Sequence, residues 1–185
     1  FCAYFKEIFV FSELNEKSLV LAEDIKANHK KAVVVFTDVF QDDQESMDDL
    51  LVRAERIGAI CFRKDILAVN FKKHSKNKPI SFFAIGTDET ENLNESLQLI
   101  EDYRNRDNTH IYIFSIKIES ELLLTAVDKG KIKVRRINDV HSLVNRILYE
   151  QGNVIFESAR EGADGEKHIC AVVVGMGNHG TEMVK

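Results

Sequence analysis

The chain has 185 residues, enough for one α/β domain plus an extension, and its 44% hydrophobic and 30% charged residues are ordinary for a globular protein. Thirty acidic against 25 basic residues leave a formal charge of −5, which argues against general binding to nucleic acid or an anionic membrane, since both need a broad basic surface. No apolar run approaches the roughly eighteen residues of a membrane span, and three scattered cysteines exclude a disulfide scaffold or a C-x-x-C zinc site.

Short β-rich apolar runs alternate with longer segments of helical period, the pattern of βαβ units around a mainly parallel, doubly wound sheet. EIFVF (7–11) predicts the first strand, and Leu19, Leu21, Ala22 and Ile25 recur at helical spacing through 15–28. AVVVF (32–36) is an unbroken apolar strand of the kind buried on both faces. Acidic QDDQES leads into a second helix carrying Met47, Leu50, Leu51, Ala54 and Ile57, closed by Gly58. AICF (59–62) is the third strand; a basic stretch, KKHSKNKP, precedes the fourth, ISFFAI (80–85). TDETENLNE opens a helix with Leu93, Leu97 and Ile100 on its apolar face, and HIYIFSI (110–116) is the fifth strand. ELLLTAV reads as a short helix, KIKVRRI as a sixth strand, and 140–149 as the helix that completes the unit. In the segment 151–168, NVIFE suggests an extra strand and REGADGEK a turn or linker.

The chain closes on ICAVVVGMGNHGTEMVK, an apolar strand running into G-x-G-x-x-G at Gly175, Gly177 and Gly180. Such a motif opens the first βα unit of a dinucleotide-binding fold: glycines let the backbone approach a pyrophosphate while the helix N-terminus offers N–H groups and a positive dipole end. Its position at the end predicts that the chain is a piece of a longer protein, with 169–185 the start of a second Rossmann-like unit. His179 within it reads as solvent-facing. In the first unit the equivalent stretch is Glu13-Leu14-Asn15-Glu16-Lys17-Ser18, so Glu13, Asn15 and Ser18 stand where glycines belong. Their side chains would crowd a pyrophosphate, and Glu13 and Glu16 would repel it. Asn15 can cap the helix and Glu16 can sit in its first turn. The expectation is a degenerate seat, or one for a different ligand held through Ser12, Asn15 and Lys17.

Residues 7–150 resemble the regulatory nucleotide-binding domains of potassium transport, the TrkA-N or RCK (regulator of potassium conductance) family. The resemblance rests on VVVFTD, GAICFRKD, AIGTDETENL, ELLLTA and NDVHSLVNRIL, of which AIGTDETENL is the most specific. It implies a Rossmann-like domain over 1–150, a linker over 151–168 and the truncated second domain. It also implies a cytoplasmic regulatory module, dimeric or higher, that senses NAD or another adenine nucleotide and acts on a membrane transporter or channel of the same chain. Cys61 and Cys170 inside apolar runs, read as buried reduced thiols, fit a reducing compartment.

Acids or hydroxyls after the second, third and fourth strands stand where a nucleotide would need them. Asp38 lies twenty residues after Ser18, the place of an acid that bonds a ribose diol, and a register shifted by one would put Thr37 there instead. Asp65, after the third strand, matches the family position near the adenine, or is a plain loop acid before a helix. Thr87 and Asp88 end the fourth strand at the same sheet edge, where N-capping accounts for them equally well. The acids at 38, 42, 43, 45, 48 and 49 lack calcium-loop spacing. The alternating bases at 129–136 suit a sheet edge or an acidic partner, and the strand phenylalanines, Phe62 among them, are expected in the core. No nucleophile–base pair or histidine metal motif appears. The leading expectation is a non-enzymatic regulatory or scaffold domain. The alternative is a partner domain of an NAD(P)-dependent oxidoreductase, and a purely structural lobe is a third reading.

Overall fold

In the computed structural model, which describes residues 6–39, 44–169 and 177, the apolar runs become the strands of one six-stranded sheet. These are β1 (Ile8–Phe11), β2 (Val33–Phe36), β3 (Ile60–Cys61), β4 (Ile80–Ala84), β5 (Thr109–Phe114) and β6 (Lys133–Ile137). All pairings are parallel and the strand order is β3-β2-β1-β4-β5-β6. That is the doubly wound Rossmann order, whose direction of winding reverses between β1 and β4. The chain divides into two units, Phe1–Ile137 and Asn138–Lys185, and the sheet lies wholly in the first.

Period-two alternation puts the two faces of each strand into separate cores. Ile8 and Val10 join Val35, Ile80, Phe82, Ile111 and Ile113 on one face, beneath Leu93, Leu99, Ile100 and Tyr103 of α3 (Glu89–Tyr103) and Leu124 of α4 (Ile118–Ala126). Phe9 and Phe11 join Val34, Phe36, Phe83 and Ile85 on the other, beneath Leu19 and Ala22 of α1 (Glu16–Asn28) and Ala54 of α2 (Gln44–Arg56). Phe11 stacks between Phe36 and Phe83 with ring centroids 5.1 and 4.8 Å away. Burial of aromatic rings on this scale dominates the stability of such a core.

The helix starts follow from their caps. Asn15 accepts a bond from the Ser18 amide while Ser18 Oγ accepts one from the Asn15 amide, each at 2.9 Å. This reciprocal capping box fixes where α1 begins. Asp88 accepts from Thr90 N and Glu91 N at the start of α3, and Gly58, with φ +68°, ends the turn after α2. Arg53 of α2 pairs with Glu16 and Glu23 of α1, tying the two helices on that face.

Some expectations are corrected. Phe62 lies past the end of β3 and is exposed, because β3 is a two-residue edge strand with little above it. Cys61 is half-buried rather than fully enclosed, and burial pushes its thiol pKa up. In the second unit α5 runs from Asp139 to Glu157, so NVIFE belongs to a helix rather than an extra strand. Asn138 caps it by accepting from the His141 amide at 3.0 Å, and Arg146 pairs with Glu150 one turn on at 2.7 Å. Adding residues to an existing helix is favourable, whereas a lone strand has no ladder partner, so the β-branched tail continues the helix past Gly152. REGADGEK forms the expected turn, between β7 (Arg160–Glu161) and β8 (Lys167–His168), which pair antiparallel around Gly165 at φ +77°. Cys2, Cys170 and the second glycine motif, apart from Gly177, lie outside the described residues. Among the described residues no helix is long and apolar enough to cross a membrane.

Candidate functional site

In a sheet of this order a ligand would sit outside the carboxyl ends of β1 and β4, where the winding reverses. The residues there bond to one another. Ser12 Oγ, buried, accepts from the Ile85 amide at 3.0 Å, and the Asn15 side chain donates to the Ile85 carbonyl at 3.0 Å. Glu13 reaches across the same gap: Oε2 accepts from Thr87 N at 2.9 Å and Oε1 from Asn15 Nδ2 at 3.2 Å. Asn92 of α3 accepts from Gly86 N at 2.7 Å and donates to the carbonyls of Gly86 and Phe114 at 2.9 and 3.2 Å. A Cβ placed on Gly86 would stand 3.0 Å from both Glu13 Oε2 and Asn92 Oδ1, so the packing leaves no slack.

The end of β5 is closed in the same way. Glu89 accepts from Ser115 Oγ at 2.7 Å and from Ile116 N at 2.9 Å. The amides of Ser18, Thr87 and Ile116, the kind of donor that would meet a phosphate, therefore already face Asn15, Glu13 and Glu89. Two of the three acceptors are carboxylates. The domain places its own carboxyl groups where dinucleotide-binding folds of this strand order seat a phosphate.

Each expected site residue has a definite place. Asn15 and Thr87 meet Glu13, and Ser12 meets the Ile85 amide, at the β1–β4 gap, while Ser18 is fully buried in the cap of α1. Lys17 stands exposed on the first turn of α1. Thr37 is buried and donates to the carbonyls of Phe11 and Ser12 at 2.9 and 3.1 Å, which aims it at β1 and away from the sheet edge. Asp38, one residue on, takes a left-handed φ of +51° with its amide on the Lys64 carbonyl at 2.8 Å. Of the two registers considered for the ribose acid, Asp38 is the one at the edge. Burial, then Asp65, Glu91 and Glu13, raise its pKa above the usual carboxylate value. Asp65 caps a 3₁₀ turn at Ile66–Ala68 through the Leu67 amide. Gly175 and Gly180 lie outside the described residues, and Gly177 has open space where a Cβ would go.

Two residues escaped sequence reasoning. Asn92 and Glu95 sit on the buried face of α3, with Ser96 and Leu99. Polar residues at i, i+3 and i+4 within an otherwise apolar stripe were the available signal. Glu95 is 7% exposed, and burial, followed by Asp65, Glu91, Asp38 and Glu13, pushes its pKa to about 8. It opens onto a cleft of about 410 Å³ between the 3₁₀ turn and α3, which Asp65, Asp88, Glu91, Asn94 and Gln98 also line. Among the described residues no group of three His, Cys, Asp or Glu is placed to hold a metal ion.

The basic run on β6 lies at the sheet edge, with Lys133 and Arg135 exposed. Arg136 instead folds back onto the Ser115 carbonyl at 3.1 Å and Glu121 at 3.0 Å. Compared with known proteins, no family model, no curated protein and no solved structure matches this chain.

Proposed function

We propose that the first unit is a non-catalytic regulatory or scaffold lobe of the TrkA-N/RCK kind, serving a longer ion-transport protein from its cytoplasmic side. The observation that supports this is the self-filled switch point, where Glu13, Asn15 and Glu89 bind the backbone amides that a dinucleotide would otherwise use. Such a lobe responds to its surroundings by shifting between arrangements with a second copy or with the transporter, and needs no reacting group of its own. NAD or another adenine nucleotide, if the whole protein takes one, then belongs to the unit opened by Gly175, Gly177 and Gly180.

Thermal denaturation of this chain and of the longer protein, each with NAD, NADH, ATP and ADP at saturating concentration, tests the reading. A ligand at 100 times its Kd adds about 2.7 kcal/mol, which moves a domain of this size by several degrees. The expected result is a shift below about 1 °C for this chain with every nucleotide. A shift of several degrees that Glu13→Gln alters would overturn it, and oxidation of NADH by the longer protein would favour the oxidoreductase reading instead.

A further inference from the structure

We infer that the acid-lined cleft between the 3₁₀ turn and α3 is a binding site for a small organic polycation, an aliphatic chain carrying amine or guanidinium groups, with Glu95 as its innermost anchor. This goes beyond the regulatory reading and does not depend on it. The cleft volume, about 410 Å³, suits a short aliphatic chain rather than a single ion. Its acids come from two elements, Asp65 from the loop after β3 and Asp88, Glu91 and Glu95 from the start of α3. Leu67 offers apolar surface for methylene groups, while Asn94 and Gln98 add amide oxygens as acceptors. No lysine or arginine lines it.

Glu95 supplies the independent observation. Its side chain is more than nine-tenths buried, it opens onto the cleft, and no described residue donates a hydrogen bond to its carboxyl group. Its carboxyl oxygens still touch solvent, and the cleft is where a ligand donor can reach them. The charged groups facing it are Glu91 on its own helix, Asp65 after β3, Asp38 after β2 and Glu13 after β1, all acidic. A phosphate-bearing ligand is repelled by that field. A single metal ion finds no set of three ligands among the described residues. A chain with several separated N–H donors can reach carboxylates that no one ion could share.

Binding is coupled to a proton. At neutral pH Glu95 holds its proton, since its pKa stands at about 8. An arriving ammonium or guanidinium stabilises the carboxylate, so Glu95 releases that proton to solvent as the ion pair forms. Affinity therefore rises with pH, approaching tenfold per unit below about 8.

Isothermal titration of the chain with spermidine, and separately with agmatine, Mg²⁺ and K⁺, in buffers of differing ionisation enthalpy, tests this. The expected result is saturable one-to-one binding of an organic cation with Kd below about 1 mM at pH 8, weakened about tenfold or more at pH 6. Glu95→Gln should weaken binding at least tenfold and remove both the pH dependence and the proton release. Gln98→Lys, an exposed change that places an ammonium in the cleft without touching the core, should weaken it comparably. No saturable binding, equal binding by Mg²⁺ or K⁺, or undiminished binding in a folded Gln98→Lys protein would each overturn the proposal.

Discussion

Glu95 makes a quantitative prediction about stability that needs no ligand. Its carboxyl group has an ordinary pKa of 4.5 when the chain is unfolded and about 8 when folded. Between those values the native state holds a proton that the unfolded state has lost, so stability falls as pH rises. The slope is about 1.4 kcal/mol per pH unit, and the accumulated penalty near pH 7 is on the order of 3 kcal/mol. Glu95→Gln keeps the shape and removes the titration. Urea denaturation followed by circular dichroism at pH 5, 6, 7 and 8 should show the variant gaining on the parent at each step. The two should be nearly equal at pH 5, and the variant should lead by about 3 kcal/mol at pH 7. Groups not coupled to Glu95 cancel in this difference. Asp38, also raised, contributes with the same sign as Glu95. His74 and His110, whose pKa values burial lowers, act oppositely and add stability as pH rises toward 6.5. Parallel pH profiles for parent and variant would refute the reasoning, because Glu95 would then titrate alike in both states.

Two further changes probe the frame around the site. Arg106, buried, donates to Thr109 Oγ1 at 2.9 Å and to the carbonyls of Ser75 and Lys78 at 2.9 and 3.0 Å, which holds the 70–79 loop against the start of β5. Arg106→Met leaves these acceptors unpaired and should cost about 3 kcal/mol or more in urea denaturation, whereas a loss below about 1 kcal/mol would show the loop to be held by other means. Gly130 has φ +55°, and a Cβ there would run into the Arg104 carbonyl oxygen, which already accepts from the Lys131 amide at 2.8 Å. Gly130→Ala should lower stability by about 2 kcal/mol, and an unchanged melting temperature would contradict the close approach.

Much of the fold was legible because the relevant forces act over a few residues. The unbroken apolar runs in EIFVF and AVVVF mark strands buried on both faces, and Phe9 and Phe11 point to one core while Ile8 and Val10 point to the other. Asn15 and Asp88 declare helix starts through bonds to amides two or three residues away. The failure at NVIFE came from judging β-branched residues alone, without the helix already running into them. Glu13, Asn15 and Ser18 at the glycine positions were equally plain, and the expectation of a degenerate seat was drawn from them.

How these residues bond across the sheet edge was not legible. Glu13 and Thr87 stand 74 positions apart, and Asn15 meets the Ile85 carbonyl across 70. Nothing in the composition of either stretch announces the other. Glu95 is likewise an unremarked acid in a helix until Asp65, Asp38 and Glu13 are brought round it from three other loops. Residue order by itself determined period, caps and the absence of a glycine cradle, since these depend on torsions and bonds among near neighbours. Only the parallel pairing of β4 with β1 decided which loops share an edge, and with it which carboxyl group loses its water, because desolvation and like-charge repulsion depend on distance in space.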